Sequence, residues 1–462
     1  MQIDRKCPFL GIEEANMSFK MFGFLALFLI SNTTFADDGG ISAGGGGHGD
    51  CHNIRSAVYA NHFGLRLMRE TIQENQQAPI NTMLSPISAY TTLSMALNGS
   101  AGETKSNFLK ALGLPEGFVH DCSVIGNNRG MAYLMRDVAL APSSIPRRHR
   151  EPTFPVLTIS NGAWHTNGQS DGQKFAFSPD FTSALQNSYQ AEVGALDFIQ
   201  PAASASINSW VSQKTFGLIP SIVDQKELQK LVWLIVNATY FEAGWQHAFT
   251  ELPGTHPFQL LNSQNKEVTM LLGQDRYAYQ DDGRRQAIAL PFRSAEARRF
   301  SLLVVLPKPG SDFLATQANE IWQPSYWENL QASLKGAGFT MGRITLPKFA
   351  FNSGIELTEQ SSLAKAMGLD SLFSRLADFS AMATPESEPS HLKLLRQLTR
   401  IELDKNGVKA AAVTAGGGAG GGGAPESPRF QMDVNRPFAF AIVEENTGAL
   451  LFLGSVVNPS WR

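Results

Sequence analysis

The chain has 462 residues, of which 43% are hydrophobic and 17% are charged, so it can form a large core, and its length allows about two or three domains. The formal net charge of −3 predicts no overall attraction to nucleic acid or to an anionic membrane surface. After the N-terminal region, no apolar run approaches the roughly 18–20 residues that span a bilayer.

The N-terminus has the pattern of a secretory signal peptide. Lys20 precedes the apolar run 21–30, and the small residues Thr34 and Ala36 on either side of Phe35 indicate cleavage before Asp37. We therefore predict a signal peptide at 1–36, with Met17 as an alternative start, and export to the extracellular space or to a bacterial periplasm. A glycine-rich linker is predicted at 37–52, and the folded domain at 53–462.

Two cysteines remain after removal of the signal peptide, Cys51 and Cys122. In an oxidising compartment they can form a disulfide that ties the start of the domain to a later segment. The alternative is that both thiols stay free or buried.

The first part of the domain is predicted to be helical. Apolar residues recur at helical spacing in 53–74 and in 101–113. Between them, Ser85 suits an N-cap, Pro86 suits a first turn and Gly99 suits the position after a helix end. This middle helix carries little charge, so we expect it to be buried.

Residues 116–152 are expected to be irregular and to contain a basic cluster, Arg147, Arg148 and Arg150. Such a cluster can bind a sulfated or other polyanion. The alternative is a solvated loop.

Residues 231–241 are almost continuously apolar and β-prone, which predicts a central strand buried on both faces. Asn237 in this strand needs a hydrogen-bond partner. Helices and strands do not alternate regularly, so the predicted fold class is α+β with several sheets. Further strands are predicted at 159–165, 189–198, 286–291, 301–306, 344–351, 438–443 and 450–457, and further helices at 207–222 and 356–367.

The stretch 401–437 changes character several times. A strand end is followed by small residues at 408–415, by seven glycines and two alanines at 416–424, and by prolines before the last strands. The small-residue half fits a tightly packed strand, whereas the whole stretch has the composition of a loop. Two interpretations remain open: a segment that moves between loop and strand, and a disordered surface loop.

Several common catalytic and metal-binding motifs are absent. The chain has no H-E-x-x-H, phosphate-binding loop or C-x-x-C motif. No catalytic residue, metal or cofactor is therefore predicted, which disfavours an enzyme.

Six sequence motifs occur in a fixed order along the chain. They are LSPISAYTTLSMALNGSAGET (84–104), LVWLIVNATYFEAGW (231–245), ITLPKFAF (344–351), the stretch 368–381 ending in ADFSA, IELDKNGVKAAAVTA (401–415) and NRPFAFAIVEENTGALLFLGSVVNP (435–459). Together these motifs resemble one family, the serpins, over roughly residues 54–459. The resemblance implies one metastable α+β domain with three sheets, about eight or nine helices and an exposed reactive-centre loop near 408–430, which inserts into a sheet.

The resemblance implies a mechanism. A serine or cysteine protease attacks the loop as a substrate, and the loop then inserts as a new strand and traps the acyl-enzyme. Non-inhibitory serpins that act as carriers, storage proteins or chaperones are the alternative. A monomer is expected, with loop–sheet polymers as an off-pathway form. The implied functional positions are the hinge residues Lys405, Gly407, Val408, Lys409, Ala410, Ala411 and Ala412, the sheet-opening polar cluster Ser85, Ser88, Asn237 and Gln397, and the mobile-helix residues Asn208 and Trp210.

Several positions depart from the family pattern. Lys405 stands where serpins usually have an acidic residue, and Lys409 stands where they often have one. We expect these two reversed charges to weaken pairing at the top of the main sheet and to ease polymer formation. Gln397 stands at the position of the family's sheet-opening histidine. Unlike histidine, glutamine cannot titrate. Because interior glycines weaken a strand by roughly 0.5–1 kcal/mol each, we predict that much of the protein is cleaved without trapping.

Two counts leave the cleaved bond open, because counting from the hinge indicates Gly421–Gly422 and counting from Pro437 indicates Glu426–Ser427. A glycine before the bond would suit serine proteases with a small or tolerant S1 pocket. Arg429 is a site for a trypsin-like protease, but it lies far from the hinge, so ordinary cleavage is expected there.

Overall fold

The structure is a computed structural model that describes residues 55–115, 120–138, 155–170, 172–294, 298–408 and 427–461. No helix in these ranges is both long enough and apolar enough to cross a membrane. The helices are α1 (Ser56–Glu74), α2 (Pro86–Leu97), α3 (Gly102–Ala111), α4 (His120–Val138), α5 (Pro179–Tyr189), α6 (Pro201–Lys214), α7 (Gln225–Leu228), α8 (Phe313–Thr316), α9 (Pro324–Gly336) and α10 (Ser362–Ala366). A π-helical turn (Gln317–Ile321) and 3₁₀ turns (Asp370–Phe373, Ser380–Met382) complete the helical part.

The strands are β1 (Thr82–Leu84), β2 (Val156–Thr166), β3 (Gln169–Ser170), β4 (Gln173–Lys174), β5 (Glu192–Leu196), β6 (Trp233–Gly244), β7 (Thr250–Glu251), β8 (His256–Gln259), β9 (Asn265–Val268), β10 (Met270–Asp281), β11 (Arg285–Pro291), β12 (Phe300–Pro307), β13 (Thr340–Pro347), β14 (Phe349–Leu357), β15 (Leu395–Asp404), β16 (Gly407–Val408), β17 (Phe430–Asp433), β18 (Phe438–Glu444) and β19 (Ala449–Val456).

Three main sheets organise these strands. The main sheet has the order β14-β15-β16-β6-β2-β5, and a second sheet has the order β1-β19-β18-β12-β11. The long strand β10 pairs with β11 through its last residues and with β13 through its first residues, so it joins the second sheet to a third, β10-β13-β17. The predicted α+β class is confirmed.

Strand β6 is buried on both faces, as its apolar sequence predicts. Trp233, Ile235 and Phe241 pack into the main core, whereas Leu234 and Val236 pack into a smaller cluster with residues of α6. Alternate residues of a strand point to opposite faces, and here both faces are covered. A continuous apolar run is the sequence signature of that situation.

Helix α2 lies behind β6 and is almost entirely buried. The Ser85 side chain caps it by accepting a hydrogen bond from the Ser88 backbone N–H, and Pro86 occupies its first turn. The predicted cap and burial are confirmed.

Strands β18 and β19 form the predicted C-terminal hairpin, in which all side chains are buried. The turn between them places Gly448 at φ +71°, where glycine avoids the steric cost of a Cβ atom.

Three predictions about local structure were wrong. Residues 116–152 are not irregular throughout, because α4 occupies His120–Val138. Helix α6 ends at Lys214 rather than near 222. In 356–367, β14 continues to Leu357 and only a short helix, α10, follows.

The reason for α4 is tertiary packing. Glycines and asparagines lower its intrinsic helix propensity, but its apolar residues recur on one face. That face packs against α1, α2 and α5. The buried apolar side chains of this helix are those of Val124, Met131, Leu134, Met135 and Val138.

The C-terminal hairpin gives a stability prediction. A Cβ atom at Gly454 would lie 2.1 Å from ring carbons of the buried Phe440, so Gly454→Ala is expected to destabilise the protein by about 1–3 kcal/mol through overpacking. Gly336 at the end of α9 has no atom near its Cβ direction, so Gly336→Ala is the matched control. Urea unfolding midpoints measure both, and equal midpoints would contradict the packing described here.

Candidate functional site

The hinge turn at the end of β15 is the centre of the site. The chain turns at residues 405–406 and returns as β16, which is antiparallel to β15 and to β6. Val408 lies opposite Leu403 of β15 and Ala243 of β6, and only 4% of its surface is exposed. The start of the predicted loop is therefore a strand between β15 and β6 of the main sheet.

Side chains and backbone groups around Asp404 fasten this turn. The Asp404 carboxylate accepts hydrogen bonds from the backbone N–H groups of Asn406 (2.7 Å) and Gly407 (3.3 Å). The Trp245 indole N–H donates to the Asp404 carbonyl at 2.9 Å, and the Trp245 backbone N–H donates to the Asn406 carbonyl at 2.9 Å. The Trp245 ring stacks on Phe292, so the fastening belongs to a rigid aromatic cluster.

Glycine is the only residue type that fits at position 407. Its φ is +152°, and a Cβ atom there would lie 2.0 Å from the Ala243 carbonyl oxygen. Any side chain would push β16 away from β6. Close approach of the two backbones therefore requires a glycine at this turn.

The strand position between β6 and β15, which we call the central position, begins at β16. Among the described residues, β6 and β15 are connected through β16 only, at Ala243–Gly244 and at Leu403–Asp404. Buried backbone N–H and C=O groups need hydrogen-bond partners, and no other described strand pairs with the facing edges of Trp233–Glu242 and Leu395–Glu402. These edges can accept a strand that continues from Val408.

Gln397 on β15 is bound to the start of α2. Its amide oxygen accepts from the Ser85 backbone N–H, and its amide nitrogen donates to the Ser85 carbonyl, both at 2.9 Å. Ser85 also accepts from the Ser88 backbone N–H. This reciprocal pair lies in the buried interior and attaches β15 to the helix behind the main sheet.

Asn237 on β6 belongs to a different network. It donates to Asn161 of β2 at 2.7 Å and accepts from the Thr239 hydroxyl at 2.8 Å. Asn161 in turn donates to the Tyr189 carbonyl. Burial raises the pKa of Tyr189, so its phenol stays protonated and donates to Asn128 at 2.7 Å.

The resemblance implied one sheet-opening polar cluster of Ser85, Ser88, Asn237 and Gln397, but among the described residues these side chains belong to two separate networks. The reason is that Gln397 and Asn237 lie on strands at opposite sides of the central position. Each network ties one of these strands to the body behind it.

Helix α6 covers the outer face of the main sheet near these strands. The Asn208 side chain accepts from the Ile222 N–H and donates to the Val223 carbonyl at 2.7 Å. Trp210 packs edge-on against Trp164 of β2, with 5.1 Å between ring centroids. Both predicted residues therefore attach α6 to its surroundings.

Arg396 of β15 also lies in the region near α6. It forms ion pairs with Glu227 at 2.6 Å and with Glu356. The hydrogen bond from Arg396 lowers the pKa of Glu227, which keeps that carboxylate charged at neutral pH.

The far end of the loop is fastened at β17. The Phe430 ring stacks on Tyr279 with 3.8 Å between centroids, and the Arg429 backbone N–H donates to the Met341 carbonyl at 2.8 Å. Ser427 and Arg429 are exposed. A protease that cuts after Arg429 would have to detach Phe430 from this stack.

Several predicted residues lie outside the described part of the chain, so their roles remain predictions. Cys122 is disulfide-bonded, with its partner outside the described residues. Lys405 is exposed in the hinge turn. Among the described residues, no group of three or more His, Cys, Asp or Glu side chains could hold a metal ion. The predicted residues outside the description are Lys409, Ala410, Ala411, Ala412, Gly421, Gly422, Glu426, Arg147, Arg148, Arg150 and Cys51.

The family model of serpins, serine protease inhibitors, matches residues 59–459. The chain belongs to the serpin family. Serpin-Z2A of Triticum aestivum is 28% identical over 414 residues, covering 87% of this chain and 96% of that protein. Serpin-Z7 of Hordeum vulgare is 28% identical over 421 residues, covering 88% of this chain and 96% of that protein.

Solved serpin structures share the fold. The thermophilic serpin tengpin in its native state matches with a TM-score of 0.69 at 24% identity, covering 87% of this chain and 94% of tengpin. Thyroxine-binding globulin in complex with thyroxine matches with a TM-score of 0.69 at 21% identity, covering 88% of this chain and all of that one.

Two residues of this serpin's hinge were missed by sequence reasoning, Asp404 and Trp245. Asp404 begins the sequence Asp-Lys-Asn-Gly, which is typical of a turn in which the aspartate accepts from the following backbone. Trp245 ends the central-strand motif, but the sequence alone does not indicate that its indole reaches the turn.

The Gln397–Ser85 pair gives a second prediction. Gln397→Ala leaves the buried N–H and C=O of Ser85 without these partners and is expected to lower stability by about 1–3 kcal/mol. The exposed Gln77 is the control, because surface substitutions usually change stability by less than about 0.5 kcal/mol. Thermal unfolding compares the variants, and an unchanged Gln397→Ala protein would show that the pair does not fasten β15.

Proposed function

We propose that this serpin is a secreted suicide-substrate inhibitor of serine or cysteine endopeptidases. A protease would cleave the loop after Val408, and the freed segment would insert into the central position before the acyl-enzyme is hydrolysed. The observation that carries the proposal is β16, because Gly407 and Val408 already pair with both β15 and β6.

The register of β16 supports insertion of the residues that follow. Continued in the same register, Ala410 would lie opposite Ile401, Ala412 opposite Thr399 and Thr414 opposite Gln397. These residues would share the core-facing side of Val408, since alternate residues of a strand share a face. Small side chains need little room there, and the Thr414 hydroxyl would meet the amide of Gln397.

The glycine tract makes insertion uneven. The half up to Ala415 combines β-prone and small residues, whereas interior glycines weaken a strand by roughly 0.5–1 kcal/mol each. Slow completion gives water time to hydrolyse the acyl-enzyme. A large fraction of cleaved but untrapped product is therefore part of the proposal.

The same register favours Gly421–Gly422 as the trapping bond. Gly421 would come level with Ser390 and Lys230, which lie a few residues before β15 and β6 begin. A cut after Glu426 would leave five further residues, roughly 17 Å of extended chain, which would let the protease remain away from the sheet. Glycine before the bond fits a protease with a small or tolerant S1 pocket.

A non-inhibitory role is the alternative. The glycine tract and the lysines at 405 and 409 favour it, because both would weaken insertion. Among the similar structures, thyroxine-binding globulin was solved with thyroxine, so the fold is compatible with binding of a small ligand. The two proposals differ in whether cleavage of the loop stabilises the protein.

The deciding experiment uses a panel of elastase-, subtilisin-, chymotrypsin-, trypsin- and papain-type proteases. We expect a covalent complex on denaturing gels with an elastase- or subtilisin-type enzyme, a cut mapped by mass spectrometry to Gly421–Gly422, and a higher Tm of the cleaved protein. Cleavage with no complex and no rise in Tm would establish the non-inhibitory alternative. Near-stoichiometric trapping would contradict the slow insertion expected from the glycine tract.

Val408 offers a direct test of insertion. Proline lacks the backbone N–H and is excluded from strand interiors, so Val408→Pro is expected to abolish both the covalent complex and the rise in Tm while the loop is still cut. Val408→Thr, which stays β-branched, is the matched control and should retain both. A Val408→Pro protein that still traps protease would show that β16 is not where insertion begins.

A further inference from the structure

The lower end of the central position, far from the hinge, is crossed by two hydrogen bonds between the start of β6 and the segment that precedes β15. The Trp233 indole N–H donates to the Ser390 hydroxyl at 3.0 Å, and the Lys393 ammonium donates to the Lys230 carbonyl at 2.8 Å. Trp233 and Ser390 are buried. Trp233 begins β6, whereas Ser390 and Lys393 precede β15, so we call this pair of bonds the lower bridge.

Little space remains beside the lower bridge on the core side. The cavity there measures about 20 Å³ and is lined by Thr92 and Ala96 of α2, residues 231–235 and residues 391–395. A volume of this size holds about one water molecule. The Trp233 ring also packs against Phe379, with 5.3 Å between centroids, so it is held in place from behind.

The register of β16 assigns loop residues to this region. Continued downward, it brings Gly416 level with Ile235, Gly418 level with Trp233 and Gly420 level with Leu231. These even-numbered residues would share the face of Val408 and Trp233. On that face the upper half of the loop offers alanine and threonine, whereas the lower half offers glycine only.

We propose that the lower bridge makes Trp233 and Ser390 specificity-determining residues for the inserting strand. The indole, held across the central position by Ser390, fills the space that core-facing side chains of the strand would need. Only residues without a side chain then pass beside it. The glycine tract therefore fits the narrow space beside the lower bridge. Its glycines lower strand propensity, but they also remove the side chains that would collide with Trp233.

This inference rests on the proposed insertion, and a double-mutant cycle tests it. Gly418→Leu is expected to lose most of the rise in Tm that follows loop cleavage, because the leucine side chain would meet the Trp233 ring. Trp233→Leu in the same chain is expected to restore much of that rise by freeing space. Ser390→Ala, a milder change that releases the indole without shortening it, is expected to restore part of it.

Gly417→Leu is the matched control, because its side chain would point to the opposite face. Trp233→Leu is expected to leave the effect of Gly417→Leu unchanged. Equal responses of the 417 and 418 variants to Trp233→Leu, or a Gly418→Leu protein with the full rise in Tm, would overturn the inference while leaving insertion intact. If the wild-type protein shows no rise in Tm after cleavage, the proposed function fails, and this inference fails with it.

Discussion

The main sheet of this serpin depends on one constraint: the facing edges of β6 and β15 need partners for their backbone hydrogen bonds. β6 and β15 face each other across the central position of the main sheet, and among the described residues only β16 pairs with both. Unpaired backbone groups are costly when buried, so the region between these edges favours a strand. The turn at Gly407 starts the chain in that direction, and under the proposed function the same constraint draws the cleaved loop into the sheet.

Contacts at both ends of the loop limit its insertion into the main sheet. At the hinge, Asp404 and Trp245 hold the turn through backbone and indole hydrogen bonds. At the other end, β17 pairs with β13, and Phe430 stacks on Tyr279 of β10. With both ends attached, the segment between them can insert fully only if one attachment is released or the chain is cut, which is the condition that a suicide substrate requires.

Two buried polar networks divide the support of the main sheet. Gln397 ties β15 to the N-terminus of α2, and Asn237 ties β6 to β2 and α5. Because the networks lie on opposite sides of the central position, the two strands can separate without breaking either network. An amide at 397 also makes the β15 contact independent of pH, since glutamine does not titrate.

The sequence by itself determined the fold class, the central strand, the capped and buried helix α2 and the C-terminal hairpin, because apolar periodicity and cap residues are local signals. It also indicated the family and the hinge glycine. Tertiary structure alone decided that residues 120–138 are helical, that Gln397 and Asn237 act in separate networks, and that Trp233 reaches Ser390 across the sheet. Those features depend on contacts between residues far apart in the chain, such as the 157 positions between Trp233 and Ser390. Neither propensity nor spacing encodes such contacts; they arise only when packing brings the strands together.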